Sequence, residues 1–364
     1  MQLLRTCVMA WRMYHRRNPT QRFETAPMAD QSRKPPTLKT IAELTGLSLS
    51  TVSLSLRDGS RLKKETRDKI AAAAEQVGYV PNRAGVRLRT GQTNVLTLIQ
   101  SPAKNTIDYT RQMIEGIGAH LTQTRFHLNV IPELDPADPE ASVRYVLQNR
   151  TADGLILTHT TARDPRVQLL TDAGFPFVCH GRTEFYTPHA FHDFHVERFV
   201  ELAVQRLHER GRGRFLLVAE DDGTTNFAKI SGGFHRALAQ CGVAGEVATD
   251  TGILVSPDNA RTFGQSLAAR PARFDAIISN NELATLALMG GMADEGLRLG
   301  RDYELICRQT TSILPLLYPQ IDTLAEDLVA TGHELARLLI ARVSRAPVET
   351  LQTLHEPAPM WRSG

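Results

Sequence analysis

Three histidines and one aspartate, His189, His192, Asp193 and His195, fall close together in the chain. Such a set could serve as a His-Asp proton relay or as a metal cluster. The rest of the chain supplies neither chemistry with its surroundings: it contains no GxSxG elbow, no HExxH, no P-loop and no GxGxxG turn. Histidines at i, i+3 and i+6 beside one carboxylate then read as polar loop residues, and the sequence calls for no catalytic residue, metal or cofactor. Cys7, Cys179, Cys241 and Cys307 lie far apart with no CxxC spacing, which argues against structural zinc and against a disulfide framework. They read as reduced thiols of a cytoplasmic protein.

The chemistry that remains is electrostatic, and it is unevenly placed. The formal net charge of +3 divides into +4 for residues 1–27, +6 for residues 28–93 and −7 for residues 94–364. A short basic segment ahead of a large acidic body suggests a polyanionic partner at one end. With 364 residues, 42% of them hydrophobic, the chain has room for two or three domains and a sizeable core. No run of 18 apolar residues offers a membrane span. Residues 1–36 read as an extension outside the folded domains; the opening stretch to residue 19 is Arg-rich and a poor secretory signal, because its apolar run is short and no small-residue cleavage site follows.

From Thr37 the pattern becomes helical. Leu38, Ile41, Ala42 and Leu44, then Leu47, Val52 and Leu56, give two short helical periods broken at Gly46, with Ser48 placed to cap the second. A third amphipathic helix follows, with Ile70, Ala73, Ala74 and Val77 on one face and Gly78 as its stop. On pattern alone this is a helix-turn-helix or an ordinary compact bundle. The string from Thr40 to Leu96 decides between them. Its pieces IAELTGLS, STVS, KETRDKI, GYVPNRAGVRL and TGQTNVL closely resemble the headpiece of the lactose-repressor/galactose-repressor family.

The resemblance implies an all-α helix-turn-helix headpiece over residues 37–80 and a hinge helix with linker over 81–93. A recognition helix from Leu49 to roughly Arg57 would lie in the major groove of double-stranded operator DNA. Leu49, Ser50 and Leu54 correspond to the base-reading positions. Better-known members carry longer polar or cationic side chains there, whereas two leucines would contact thymine methyls or pack; core placement of Leu54 is the alternative. Thr51 and Ser53 are short hydroxyl donors suited to phosphates. In the hinge, Asn82 helps start the helix after Pro81, and Arg83, Arg87 and Arg89 bring cations to the backbone. Leu88 matches the leucine wedged into the minor groove. Gly85 inside that helix costs about 1 kcal/mol relative to alanine, which suits a hinge that folds only on DNA; a plain basic linker is the alternative.

Residues 94–364 alternate apolar runs with helical patterns, the signature of parallel α/β structure. The expected strands are Val95–Gln100, Phe126–Ile131, Gly154–Thr158, Pro176–His180, Arg214–Ala219, Glu246–Ala248, Asp275–Ser279 and Tyr303–Cys307. Helices such as Gln112–Gln123, Ala141–Gln148, Glu197–Glu209, Gly232–Gln240 and Leu283–Glu295 lie between them. The chain passes from one lobe to another between Asp193 and Arg214. The order is similar to the family's two-lobed, periplasmic-binding-protein-like core with parallel sheets. In that core a small-molecule effector sits in the cleft at the carboxyl ends of the strands.

By family position the effector residues are Tyr109, Thr158, Arg182, Asp193, Asn226, Lys229, Asn281 and Gln309, with Asn226 and Lys229 preceding a turn at Gly232–Phe234. Ile230 stands where the family often has an arginine and Gln309 where an aspartate is common, so the resemblance supports a sugar or polyol without naming one. Leu328, Leu335, Leu338 and Leu339 would face core or a second subunit. The family implies a homodimer, with a tetramer also open, because two reading heads match a pseudo-palindromic site. The expected function is a ligand-controlled, sequence-specific transcriptional regulator, repression being the family default. A solute-binding protein of the periplasmic type is the alternative, and it lacks the export signal and does not explain the headpiece.

Overall fold

The computed structural model describes residues 36–55, 62–79, 91–100, 108–133, 135, 137–184, 188–219, 221–249, 252–253, 256–270 and 274–362. They pack as two units, one within residues 1–89 and one within 90–364. Residues 1–35, the expected end of the recognition helix beyond Ser55 and residues 81–90 of the expected hinge and linker at 81–93 lie outside the described residues.

In the first unit, α1 (Leu38–Thr45) starts with a capping box in which the Thr37 and Thr40 hydroxyls accept from each other's backbone N–H. It stops at Gly46, whose φ of 68° places it in the left-handed region. The turn leads into α2 (Leu49–Ser55), where the Ser48 hydroxyl accepts from the Thr51 N–H at 3.1 Å. α3 (Lys64–Gln76) closes the bundle. Ile41, Val52, Ile70 and Ala73, one or two from each helix, form its buried centre. The apolar periodicity therefore has one solution, a three-helix cluster with a small core.

The second unit contains two sheets. The first collects β1 (Val95–Gln100), β2 (His127–Pro132), β3 (Gly154–Leu157), β4 (Phe177–His180), β5 (Phe191–Phe194) and, from much later in the chain, β11 (Gln352–His355). Its order is β11-β5-β4-β3-β1-β2 and every pairing is parallel. The second collects β6 (Arg214–Val218), β7 (Ala244–Ala248), β8 (Ala276–Ser279), β9 (Glu304–Gln309), β10 (Asp322–Ala325) and β12 (Ala358–Met360), in the order β12-β10-β9-β8-β6-β7. Only the β10–β12 pairing in it is antiparallel. All eight expected strands are present with ends shifted by at most two residues, and β5, β10, β11 and β12 join them. Strands β3, β4 and β8 are buried along their whole length, as helices on both faces require.

Those helices are α4 (Tyr109–Leu121), α5 (Ala141–Asn149), α6 (Pro165–Asp172), α7 (Val196–Glu209), α8 (Thr225–Cys241), α9 (Pro257–Ala268), α10 (Glu282–Asp294), the short α11 (Ile313–Leu317) and α12 (Leu328–Val343). The chain crosses between lobes three times. After β5 it enters α7, whose Phe199, Val200, Ala203 and Val204 join the core of the second lobe. After β10 it returns in α12, whose Leu335, Leu338 and Leu339 are buried in the first. It crosses again between β11 and β12. Leu328 is also fully buried, so the leucines of the last helix are core.

Helices α4 and α12 touch backbone to backbone. A Cβ on Gly116 would lie 1.9 Å from the Val329 carbonyl oxygen, and one on Gly332 would lie 2.2 Å from that of Met113. The second lobe repeats the device, with Gly264 against Leu288 of α10 and Gly291 against Arg261 of α9.

Candidate functional site

Two surfaces carry the residues singled out in the sequence. On the headpiece, α2 buries Val52 and turns Leu49 and Leu54 outward, 52% and 40% exposed. Leu54 is thus a surface residue, and the core alternative for it falls. The Ser48 hydroxyl lies 2.8 Å from those of both Ser50 and Thr51, so the start of α2 presents a hydroxyl cluster flanked by exposed leucine. Ser53 is half-buried on the same helix. The hinge candidates Asn82, Arg83, Arg87, Leu88 and Arg89 lie outside the described residues.

The second surface follows from strand order. In each sheet the order reverses at the second strand from one edge, between β1 and β3 in the first lobe and between β6 and β8 in the second. Loops at the carboxyl ends of such strands diverge and open a crevice. Tyr109 stands at the start of α4, behind Asp108, a non-glycine residue with φ 57°. Its hydroxyl hydrogen-bonds Nδ1 of His180, at the end of β4. Burial, with the Glu326 carboxylate nearby, pushes the Tyr109 phenol far above its ordinary range, so it is a neutral hydroxyl. His180 Nε2 faces Glu326 Oε1 at 3.7 Å, and Glu326 is gripped by Arg308 of β9. Burial raises the Glu326 carboxyl, but Arg308 and His180 outweigh it and bring it to about 2. Arg308 also donates to Asn280 at 3.2 Å and lies 4.3 Å from the Phe194 ring centre.

Beside this network Arg182 donates to Asp193 at 2.7 Å, and Lys229 stands 3.7 Å from the same carboxylate oxygen. Arg182 and Asp193 come from the first lobe and Lys229 from α8 of the second. Arg182 and Asp193 of the first lobe thus meet Lys229 of the second.

Other expected residues are engaged differently. Thr158 is buried and its hydroxyl bonds the ring of His159 at 3.0 Å. His159 carries φ 56°, and burial lowers its imidazole to about 4. The Asn281 side chain caps α10 by accepting from Ala284 N–H at 2.9 Å. Gln309 accepts from the Thr323 hydroxyl at 2.6 Å, tying β9 to β10. Asn226 is half-buried in the first turn of α8. The expected turn at Gly232–Phe234 does not exist. These residues lie inside α8, where Gly233 lets α7 approach within 2.9 Å of the missing Cβ. Ile230 is fully buried in the second-lobe core, so no cation could occupy that position without repacking.

The lobes meet directly at positions the sequence left unmarked. Thr225, at the start of α8, donates its N–H to the Thr160 carbonyl at 3.0 Å and its hydroxyl to the Arg182 carbonyl at 2.6 Å. Gln112 of α4 donates to the Thr310 carbonyl at 3.0 Å. That loop is fixed by buried Glu282, which accepts from the backbone of Thr310, Thr311 and Leu314. A carboxylate three residues past a buried strand end is the only sequence signal for it.

Residues 37–82 match the bacterial regulatory proteins of the lacI family, and residues 204–363 match the periplasmic binding protein-like domain. The HTH-type transcriptional regulator RafR of Escherichia coli is 30% identical over 253 residues, covering 68% of this chain and 73% of RafR. The chain belongs to the lacI family. Among solved structures, the Lac repressor dimer bound to operator and the anti-inducer ONPF has a TM-score of 0.75 at 19% identity, covering 91% of this chain and 99% of that one. The regulator CelR in complex with cellobiose has a TM-score of 0.65 at 23% identity, covering 90% of this chain and all of that one. As a lacI-family member the protein is a DNA-binding regulator of transcription, controlled through a periplasmic-binding-protein-like body. Among the described residues no helix is long and apolar enough to cross a membrane.

Proposed function

We propose that the protein is a cytoplasmic, homodimeric repressor whose grip on a pseudo-palindromic operator is set by a sugar or polyol in the cleft between its lobes. The headpiece of residues 37–80 reads the major groove, with Leu49, Ser50 and Leu54 at base edges and Thr51 and Ser53 at phosphates. Residues 81–93 form the hinge, in which Asn82, Arg83, Arg87 and Arg89 serve the DNA backbone and Leu88 the minor groove. Residues 94–364 bind effector and dimerise, and the body performs no catalysis. The observation that carries the effector assignment is the meeting of Arg182 and Asp193 with Lys229 of the other lobe. That CelR, similar in fold, was solved in complex with cellobiose supports a sugar as the effector. Exposed Leu316 and Leu317 on α11 give the body an apolar surface suited to a second copy.

A ligand acts here only through its different affinity for two arrangements of the lobes. Footprinting of the purified protein on DNA upstream of its own gene tests the reading. Two protected half-sites, weakened or strengthened by one sugar or polyol, are the expected result. Uniform, salt-sensitive coverage without a preferred site would reject specific regulation.

A further inference from the structure

Two imidazoles meet where α4 and α12 of the first lobe cross. His120 stands in the last turn of α4 and His333 on α12, one position after Gly332. Nδ1 of His120 lies 3.1 Å from Nε2 of His333, and the ring planes stand edge to face at 86° with centres 4.4 Å apart. The two residues are 213 positions apart in the chain, so no sequence spacing announces the pair. Helix α4 precedes the second lobe in the chain and α12 follows it.

Backbone contact sets this spacing. Gly116, one turn before His120, packs so closely on α12 that a Cβ there would lie 2.9 Å from the His333 backbone nitrogen, and Gly332 meets the Met113 carbonyl in the same way. A pair of ligands mounted on helices held this tightly keeps its geometry. His333 is exposed and His120 half-buried, so a solute can reach the pair.

A ring nitrogen facing a ring nitrogen shares one proton, which one donates and the other accepts. A divalent transition cation takes the place of that proton and accepts a lone pair from each ring. With metal–nitrogen bonds of about 2.0–2.1 Å, two nitrogens on one ion stand about 2.9 Å apart at a right angle and about 3.3 Å apart at the tetrahedral angle. The observed 3.1 Å falls between these, so turning the rings, with the helices left in place, seats the ion. The other charged side chains that act on His120 are Arg337 and Glu334, and these are tied to each other by two hydrogen bonds of 2.7 Å. Among the described residues no set of three His, Cys, Asp or Glu surrounds one point, so water completes the coordination. Mg²⁺, which requires oxygen ligands, gains nothing from two imidazoles.

We propose that His120 and His333 form a two-histidine chelate for a divalent late transition cation, Zn²⁺, Ni²⁺ or Cu²⁺, which clamps α4 to α12.

The test is a titration of the full-length protein, free of any histidine tag, with ZnCl₂, NiCl₂ and CuCl₂ against MgCl₂, by calorimetry and thermal shift at about pH 7.5, where imidazole is neutral. A single transition ion per chain should bind most tightly and raise the melting temperature by about 2–5 °C at a hundredfold excess over Kd, while Mg²⁺ leaves it unchanged. His120→Asn and His333→Asn each keep a polar side chain that can hydrogen-bond the remaining imidazole and remove one ligand. Each should weaken that ion by at least about tenfold with little change in melting temperature when no metal is added. Electron paramagnetic resonance of the Cu²⁺ form should show two coordinated nitrogens in the wild type and one in either variant. Absence of transition-ion binding overturns the proposal, and so does tight binding that survives in both variants, which puts the metal elsewhere on the chain. Should one variant fail to fold, the other decides, because loss of either ligand is sufficient.

Discussion

His192 shows how one buried imidazole can make the fold sensitive to acid. It is 6% exposed, its Nδ1 lies 2.8 Å from the Thr353 hydroxyl and its Nε2 lies 3.4 Å from that of Thr331. Burial, then the nearby His180, lower its imidazole to about 4; His355 adds to this, and Glu334 and Glu326 oppose it. The unfolded imidazole takes its proton near 6.5, so the folded state is favoured fully above that pH and loses this contribution as pH falls from 6.5 towards 4. Between pH 7 and pH 5 the loss is about 2 kcal/mol from this group. Urea midpoints at the two pH values should show it, and His192→Asn should have a flatter acid limb; an unchanged limb would reject the assignment. In the sequence His189, His192 and His195 looked like loop residues beside Asp193. His192 lies in a strand that was not legible, because FHDF sets two polar residues between two phenylalanines and shows neither an apolar run nor a period of two. Equally hidden were His180 and Thr225, whose roles come from partners far away in sequence.

Element by element, what decided legibility was whether a segment is apolar throughout. Strands sandwiched between helices, such as GLIL and AIIS, are continuous runs and could be read directly. Strands β10, β11 and β12 lie at or next to a sheet edge; the first two carry polar residues and the third spans only three residues, one of them proline. Helix α8 was read as starting at Gly232 because two glycines resemble a break, whereas Gly233 is the contact that lets α7 and α8 pack. The helix crossings give a sharp test at this scale. Gly116→Ala forces α4 and α12 apart and should destabilise the protein by about 1–3 kcal/mol or more. Gly118→Ala, two residues along the same helix with nothing within 4 Å of its added Cβ, should stabilise it by up to about 1 kcal/mol. Thermal melting of the pair distinguishes a packing effect from a helix-propensity effect.

For the whole molecule the sequence was most informative, since the resemblance to the family headpiece and the βα alternation together imply a DNA-binding head and a two-lobed body. The direct contacts between lobes were not readable, because nothing local marks Thr225 or Gln112. Thr225→Val keeps the shape of the side chain and removes its hydroxyl bonds to Thr160 and Arg182, worth about 1 kcal/mol. The body should shift towards a more open arrangement, visible as a larger radius of gyration in solution scattering, and a cleft ligand should bind about fivefold more weakly. Equal affinity and equal scattering would mean that these bonds do not hold the lobes together.

The three crossings also govern how the protein is made. The last strand placed in each sheet, β11 in one and β12 in the other, comes from residues 352–360. During synthesis the headpiece has its whole core available early, since Ile41, Val52 and Ile70 emerge first. Neither lobe can complete its sheet until residues 352–360 have emerged. A nascent chain would therefore present a folded DNA-reading head on an unfinished body, and a premature stop before residue 350 would damage both lobes at once.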